Sequence, residues 1–193
     1  GLLLGQLGVR KPREFRVTCT GEAGSLSIPL ITQAALAGFL ERFTGAAVNP
    51  VSARLEAKER GIPVVEVRDE AEVYGHLSTV RIAIAAESGV HTATGSVNTE
   101  GDPRLVGLDG RPVDALLEGN ALVMRNANIP GVIGAVGTIL GKHNINVARM
   151  HVRNGPDGSE AIGVWNVDSE VTQAALDELK KLEQVRSVLT VAL

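Results

Sequence analysis

The stretch Ala121–Val152, with the sequence ALVMRNANIPGVIGAVGTILGKHNINVARMHV, decides the fold of the second half of the chain. Leu122–Met124 is apolar and β-prone, and Pro130 stands where the first residue of a helix would. Apolar side chains then recur at helical spacing, at Val132, Ile133, Val136, Ile139 and Leu140. The stretch therefore predicts a strand, a polar corner, a helix, a short turn and a second strand.

The polar corner places asparagine side chains at the beginning of the predicted helix. Asn126 and Asn128 precede it, and the backbone N–H groups of Gly131 and Val132 lack partners within the helix. Because these N–H groups carry the positive end of the helix dipole, they suit a carboxylate. Asn146, in the returning strand, is expected beside the same corner. Amides both donate and accept without net charge, so the set predicts a site for a small zwitterion. Taken singly, each asparagine also suits a turn or a cap.

The rest of this half completes a βαββαβ order. It predicts a hairpin turn at 154–158, a strand at Ala161–Val167, a helix with Val171, Ala175, Leu179 and Leu182 on one face, and a final strand at Val185–Leu193. This order predicts an α/β (α+β) fold of the ferredoxin-like type, with both helices on one face of a sheet. The other face or an edge must find a partner, so we expect a homodimer or homotetramer.

The segment Asn120–Leu193 resembles an ACT domain, a module that binds amino acids. The residues that carry the resemblance are Asn126-Ala-Asn128-Ile-Pro130-Gly131-Val-Ile-Gly134 and Gly141-Lys-His-Asn-Ile-Asn146-Val-Ala148. Two positions depart from the family pattern: Ile129 stands where Arg is usual, and Asn126 where some members have His or Tyr.

The whole chain resembles the regulatory C-terminal part of the long-form D-3-phosphoglycerate dehydrogenases, in which an intervening domain precedes the ACT domain. In that family the ACT domain binds L-serine as an inhibitor. The resemblance implies that L-serine contacts Asn126, Asn128 and Asn146, with its carboxylate at the N–H groups of Gly131 and Val132, at a dimer interface. It also implies that this part has no catalytic residues and no cofactor, since NAD would belong to a catalytic part upstream.

The first half of the chain predicts a separate α/β unit. Residues 1–12 are typical of the end of a preceding helix, and the composition shifts at Glu118-Gly119-Asn120. We therefore expect an intervening (allosteric substrate-binding) domain at 13–118 and an ACT domain at 119–193. The expected elements are a strand at Glu14–Thr20, a helix at Pro29–Phe43, a helix that Asn49 caps with Val51 and Leu55 inward, and strands at Ile62–Val67, Ser78–Ala86, Val90–Val97 and Arg104–Leu108.

Three arginines of the first half form a second candidate site. Arg104 and Arg111 flank the tight-turn pair Asp109-Gly110, and Arg81 precedes them. Guanidinium groups match phosphate and carboxylate geometry, so the cluster favours a phosphorylated three-carbon acid as ligand. The resemblance supports Arg104 as one basic position, but Leu117 falls where some members have another Arg. The alternative is a solvated basic face.

The composition excludes several other functions. The formal net charge is −3 without a dense Lys/Arg block, so a nucleic-acid partner is not expected. The single Cys19 excludes an intrachain disulfide and favours a reducing cytoplasm. A run of roughly 18 apolar residues, as a membrane span needs, is missing from the sequence.

Catalytic and metal-binding motifs are also missing. Gly131, Gly134 and Gly137 are spaced three and three, unlike the Gly-x-Gly-x-x-Gly of a dinucleotide site. The histidines at 76, 91, 143 and 151 do not have the i, i+4 spacing of a helical metal site. We therefore predict no catalytic residue and no metal site in this chain.

Two alternatives remain open at this stage. The chain also resembles the regulatory part of an iron–sulfur L-serine dehydratase, although the serine-rich, His-containing segment of that family is missing and only one cysteine is present. An ACT-like module can also serve only for oligomerisation, without a ligand.

Overall fold

The computed structural model describes residues 1–192, and these form two compact units. The first unit is Gly1–Pro112, and the second begins at Val113. The division falls inside the strand Arg111–Leu116, shortly before the composition shift at Glu118. The predicted last residue of the final strand, Leu193, lies outside the described residues.

The first unit is built on a six-stranded sheet. Its elements are α1 (Leu2–Gln6), β1 (Pro12–Thr20), α2 (Gly21–Ser25), α3 (Ile28–Thr44), α4 (Ala53–Glu59), β2 (Val64–Asp69), β3 (Thr79–Ala86), β4 (Gly89–Val97), β5 (Pro103–Leu108) and the first residues of β6 (Arg111–Leu116), the strand in which the division falls. The strand order is β2-β1-β3-β4-β5-β6. β2 runs parallel to β1, whereas the pairs β1–β3, β3–β4 and β4–β5 are antiparallel.

The core of the first unit lies between β1 and α3. Phe15, Val17 and Cys19 alternate along β1 and are fully buried. Leu36 and Phe39 of α3 are also fully buried, and the rings of Phe15 and Phe39 are 5.4 Å apart. The two-residue period of the strand and the 3.6-residue period of the helix therefore meet at one core, as the sequence pattern predicts.

The predicted orientation of α4 is wrong. Val51 and Leu55 were expected inward, but 81% of Val51 and 59% of Leu55 are exposed, and Ala53 and Ala57 are buried instead. The Oδ1 atom of Asn49 accepts the N–H of Val51 at 2.9 Å, so Asn49 caps a turn that precedes the helix. Because α4 itself begins only at Ala53, small alanines rather than the larger side chains pack inward.

The first unit contains more elements than the sequence predicts. Its pattern indicates about five strands and two helices after the helix end expected at 1–12, where α1 lies, but β6 and the short helix α2 are also present. β6 follows because Asp109 (φ 46°) and Gly110 (φ 74°) both adopt the left-handed conformation, which suits a two-residue hairpin turn. The chain then returns along β5.

The second unit has the predicted βαββαβ order and a ferredoxin-like fold. Its elements are β7 (Asn120–Ala127), α5 (Val132–Lys142), β8 (Val147–Asn154), β9 (Glu160–Val167), α6 (Gln173–Lys180) and β10 (Val185–Ala192). The strand order is β10-β7-β9-β8, and each neighbouring pair is antiparallel. β8 and β10 are therefore the two edges of this sheet.

A single apolar cluster joins both helices to one face of this sheet. It includes Leu122 and Met124 of β7, Val136 of α5, Trp165 of β9 and Leu179 of α6. Leu122 and Met124 are two residues apart, so alternate residues of β7 face the helices. By the same alternation, Asn126 belongs to the helix-covered face. Asn126, one of the candidate ligand-binding residues, therefore lies against the core of this unit.

No helix within residues 1–192 is long and apolar enough to cross a membrane.

Candidate functional site

The start of α5 is an open and uncapped helix end. Gly131 occupies the N-cap position with φ 93°, and no side chain makes a capping hydrogen bond there. A Cβ atom at Gly131 would have open space around it, and residues 128–131 are exposed. The first N–H groups of a helix have no intrahelical acceptor. This end of α5 can therefore receive a carboxylate from solvent.

Asn128 lies beside this helix end and has a structural role as well. Its Nδ2 donates to the carbonyl oxygen of Gly158 at 2.9 Å, and its backbone N–H donates to the carbonyl of Ser159 at 2.9 Å. These bonds join the segment before α5 to the hairpin between β8 and β9. The amide oxygen of the exposed Asn128 side chain can still accept a hydrogen bond from a ligand.

Asn126 is buried and its hydrogen-bonding capacity is only partly used. The residue is 5% exposed, and its Nδ2 donates to the carbonyl of Ala127 at 2.8 Å. Its Oδ1 is buried without a hydrogen-bond partner. An unsatisfied buried acceptor costs about 1–3 kcal/mol, so this oxygen is a candidate for contact with a donor that enters the site.

Trp165 carries a second unsatisfied polar atom on the same face. Its Nε1 is buried without a hydrogen-bond partner, and the residue is 2% exposed. A Cβ atom at Gly163 would collide with Nε1, so the indole lies along β9 over Gly163. Trp165 is opposite Leu122, Gly163 opposite Met124, and Ala161 opposite Asn126. The indole ring therefore extends along the sheet toward the position of the Asn126–Ala161 pair. Trp165 is a core residue, and its unsatisfied N–H results from tertiary packing.

Asn146 does not join Asn126 and Asn128 within one chain. It immediately precedes Val147, which is opposite Val167, and Val167 is opposite Asn120 at the beginning of β7. Asn126 is near the end of β7, and that length of strand spans roughly 20 Å. The prediction that Asn146 sits at the same corner is therefore wrong for a single chain. The physical reason is that α5 carries the chain from one end of the sheet to the other.

The far end of α5 carries a charged cluster. Nζ of Lys142 is 2.8 Å from Oε1 of Glu178, and Nε2 of His143 is 3.0 Å from Oε2. The hydrogen bond from Lys142, and then that from His143, lowers the pKa of Glu178 below its ordinary value. The cluster ties the end of α5 to α6.

Two of the three candidate arginines share a face of the first sheet. Arg81 is opposite Thr94, and Arg104 is opposite Ser96. Thr94 and Ser96 are two residues apart on β4, so both arginines belong to the same face. Arg111 begins β6 directly after the Asp109–Gly110 turn.

Tyr74 also borders this arginine-bearing face and was missed by the sequence analysis. A Cβ atom at Gly107 would collide with the Tyr74 ring, and Gly107 is opposite Thr94. Tyr74 has φ 54° and Gly75 has φ 82°. This Tyr-Gly turn is the only sequence signal that could have pointed to the residue. The face therefore combines guanidinium groups with an aromatic hydroxyl.

The Cys19 thiol lies in the core of the first unit. Burial raises the pKa of the Cys19 thiol, with a smaller contribution in the same direction from Glu66. Among residues 1–192, no group of three or more His, Cys, Asp or Glu side chains could hold a metal ion.

Two protein-family models match the chain. The model described as the D-3-phosphoglycerate dehydrogenase intervening domain matches residues 1–109, which is more than half of the chain. The chain belongs to this family. The model described as the ACT domain matches residues 121–184. The resemblance to the intervening and ACT domains of D-3-phosphoglycerate dehydrogenases is therefore confirmed.

Curated D-3-phosphoglycerate dehydrogenases align with nearly the whole chain. The Synechocystis sp. protein is 32% identical over 100% of this chain and 35% of its own length. The Bacillus subtilis protein is 29% identical over 97% of this chain and 36% of its own. The Methanocaldococcus jannaschii protein is 29% identical over 90% of this chain and 33% of its own. The chain thus spans about a third of the length of these relatives.

A solved structure described as GqqA, a novel type of quorum quenching acylases, has a TM-score of 0.33 and 15% identity over 72% of this chain and 57% of that chain. This likeness is too low to support an argument.

The curated relatives favour the D-3-phosphoglycerate dehydrogenase resemblance over the alternative of an L-serine dehydratase.

Proposed function

We propose that this chain is the feedback-sensing region of a D-3-phosphoglycerate dehydrogenase of L-serine biosynthesis, and that it binds L-serine between the ACT domains of two copies. The single observation that carries the proposal is the uncapped start of α5 at Gly131, flanked by Asn128 and by the unsatisfied oxygen of Asn126. A carboxylate acceptor site beside amide oxygens matches the groups of a free amino acid.

Within one chain, the site provides partners for most of the ligand. The N–H groups of Gly131 and Val132 receive the carboxylate of serine. The Oδ1 atom of Asn128 accepts from its ammonium, because Nδ2 is already bonded to Gly158. The Oδ1 atom of Asn126 provides a further acceptor at the buried side of the pocket.

A second copy supplies the remaining contact. β8 is a sheet edge, and edge strands have unpaired backbone groups that can pair with another chain. Antiparallel pairing of two β8 strands about a two-fold axis places the partner's Asn146 at the end of the sheet that carries Asn126 and Asn128. The separation of these residues within one chain is therefore an argument for a shared site.

Serine binding regulates by coupling to the rest of the enzyme. The remaining two thirds of the related proteins would hold the catalytic residues and the NAD site. A ligand that favours one arrangement of the ACT domains changes activity by a coupling free energy that is typically 1–3 kcal/mol. The dehydrogenase, as a soluble cytoplasmic homo-oligomer, would thus sense the end product of its pathway.

The test is a calorimetric titration of the chain with L-serine, glycine and 3-phosphoglycerate. We expect L-serine to bind, and Asn128→Ala and Asn146→Ala each to weaken binding at least tenfold, about 1.4 kcal/mol. A matched control is Asn49→Ala, which removes a turn-capping asparagine from the other unit. Stable dimers without serine binding would instead support a module used only for oligomerisation.

Mixing two variants tests whether the site is shared. Asn128→Ala and Asn146→Ala chains, each of which is expected to bind serine weakly alone, are mixed and allowed to exchange subunits. A mixed dimer contains one site with both asparagines intact, so about one quarter of all sites regain affinity at random pairing. A mixture that regains no binding contradicts the shared site.

The arginine-bearing face of the first sheet supports a second candidate function. Arg81 and Arg104 share this face with Tyr74, a combination that suits the phosphate or carboxylate of a phosphorylated three-carbon acid. Binding of 3-phosphoglycerate that is weakened by Arg104→Ala and kept in Asn128→Ala would support this function. Equal binding by the Arg104→Ala variant would favour a solvated basic face.

A further inference from the structure

Asp168 forms hydrogen bonds with both the backbone N–H and the backbone carbonyl of Asn146. The N–H of Asn146 donates to Oδ1 of Asp168 at 3.1 Å, and the N–H of Asp168 donates to the carbonyl of Asn146 at 3.2 Å. The hydroxyl of Ser169 donates to the same carboxylate oxygen at 3.2 Å. Two reciprocal bonds fix the orientation of a peptide segment as well as its position.

The turn between α5 and β8 is also fixed on its other side. Lys142 and His143 bind Glu178 of α6, and the N–H of Ile145 donates to the carbonyl of Leu140 at 2.9 Å. Asn144 adopts the left-handed conformation with φ 55°. The exposed side chain of Asn146 therefore extends from a backbone that is bound at both ends of the turn.

We propose that Asp168 is a positioning residue for the effector site, because it fixes the backbone from which the Asn146 side chain reaches the ligand. This inference rests on the proposed binding of L-serine to Asn146. A side chain that is already ordered loses less conformational entropy when the ligand binds, so its contact contributes more to affinity. Asp168 itself follows β9 and acts through Asn146, without contact to the ligand.

The location of the acceptor atom, and not its charge, is the property that matters. Asp168→Asn removes the charge but keeps an Oδ1 acceptor at the same distance from the backbone. Asp168→Glu keeps the charge but moves the acceptor by one methylene group. Asp168→Ala removes the acceptor. The three variants therefore separate an electrostatic role from a positioning role.

The test is calorimetric titration of the full chain and its variants with L-serine. We expect Asp168→Asn to keep an affinity within about twofold of the parent, and Asp168→Glu and Asp168→Ala to weaken binding about tenfold. Asp177→Ala is the matched control, because it removes an exposed carboxylate of the same unit that accepts from Gln173. Thermal unfolding and sedimentation, measured in parallel, are expected to show folded dimers for each variant.

Each alternative result overturns the inference. Parental affinity in both Asp168→Glu and Asp168→Ala, with weak binding in Asn146→Ala, means that Asp168 does not position Asn146. Equal losses in Asp168→Asn and Asp168→Ala mean that the charge acts directly. If Asp168→Ala does not fold, the comparison of Asp168→Asn with Asp168→Glu still decides. Absence of serine binding by the parent chain overturns the proposed function itself, which is a different result.

Discussion

Nδ2 of Asn128 donates a hydrogen bond to the carbonyl oxygen of Gly158 at 2.9 Å, which ties the segment before α5 to the β8–β9 hairpin. One side chain therefore has two assignments: its N–H₂ group holds the structure, and its oxygen is proposed to hold the ligand. The structural and binding interpretations of this asparagine are compatible.

Replacement of Asn128 separates these two roles. Asn128→Ala is expected to lower the free energy of unfolding by about 1 kcal/mol, because one hydrogen bond is lost. Asn128→Asp keeps the acceptor for the ligand but loses the donor to Gly158. We expect this variant to be destabilised similarly while it retains part of its serine affinity. Denaturant unfolding combined with calorimetry measures both quantities, and equal binding losses in the two variants would contradict the assignment.

Gly131 and Gly134 form a matched pair for substitution. Both have open space where a Cβ atom would stand, but only Gly131 has a left-handed φ, at 93°. Gly131→Ala is expected to destabilise the chain by about 1–2 kcal/mol through backbone strain. Gly134→Ala, inside α5, is expected to stabilise it by about 0.5–1 kcal/mol. Denaturant unfolding of both variants tests this, and a stable Gly131→Ala protein would argue against the strained N-cap.

The bonds of Glu178 to Lys142 and His143 predict a dependence of stability on acid pH. The pKa of Glu178 is lowered from 4.5 in the folded chain. Its contribution is therefore full above that value and is lost as pH falls through the lower folded pKa. Glu178→Gln is expected to be less stable than the parent near neutral pH, with a difference that disappears in acid. Because the pair is exposed, high salt also reduces the difference.

The control for this pH dependence is Asp177→Asn, which removes the neighbouring carboxylate of α6. Denaturant unfolding at several pH values follows the single tryptophan, Trp165. A constant difference between Glu178→Gln and the parent from neutral to acid pH would contradict the ion-pair assignment.

Cys19 is expected to react slowly with thiol reagents. The side chain is fully buried, and burial raises its pKa, so both access and thiolate fraction are low in the folded chain. Modification by a chromogenic disulfide is expected to be several orders of magnitude faster in denaturant than in the native state. Cys19→Ser confirms that the signal comes from this residue, and rapid native labelling would show that the β1 face opens.

The sequence predicts the second unit well because the spacing of its apolar residues agrees with the residues that begin its helices and form its turns. Pro130 and the helical spacing after it define α5, and the β-branched and other apolar residues of Val185–Ala192 mark β10, although Val188 and Val191 are buried rather than strictly alternate residues. The same reading fails for α4. Asn49 and Pro50 mark the start of a turn correctly, but the helix begins later, which changes the face that packs inward. The spacing of apolar residues over so short a helix does not determine which of its faces packs inward.

The candidate site could be predicted only in part, because sequence proximity differs from spatial proximity. The start of α5 and the adjacent asparagines follow directly from local sequence. Asn146 was expected with them, but an eleven-residue helix advances about 16 Å and delivers that residue to the opposite end of the sheet. The unsatisfied atoms of Asn126 and Trp165 depend on tertiary packing, which local patterns do not encode.

Asn126 and Asn146 lie at opposite ends of the second sheet. If L-serine binds at a site divided between two chains, as proposed, that site exists only in the associated state, so the effector and the partner chain stabilise each other. Dilution of the chain should then lower its apparent affinity for serine, and saturating serine should hold the dimer together at concentrations where it would otherwise dissociate. The end product would then act on the degree of assembly as well as on the shape of the enzyme.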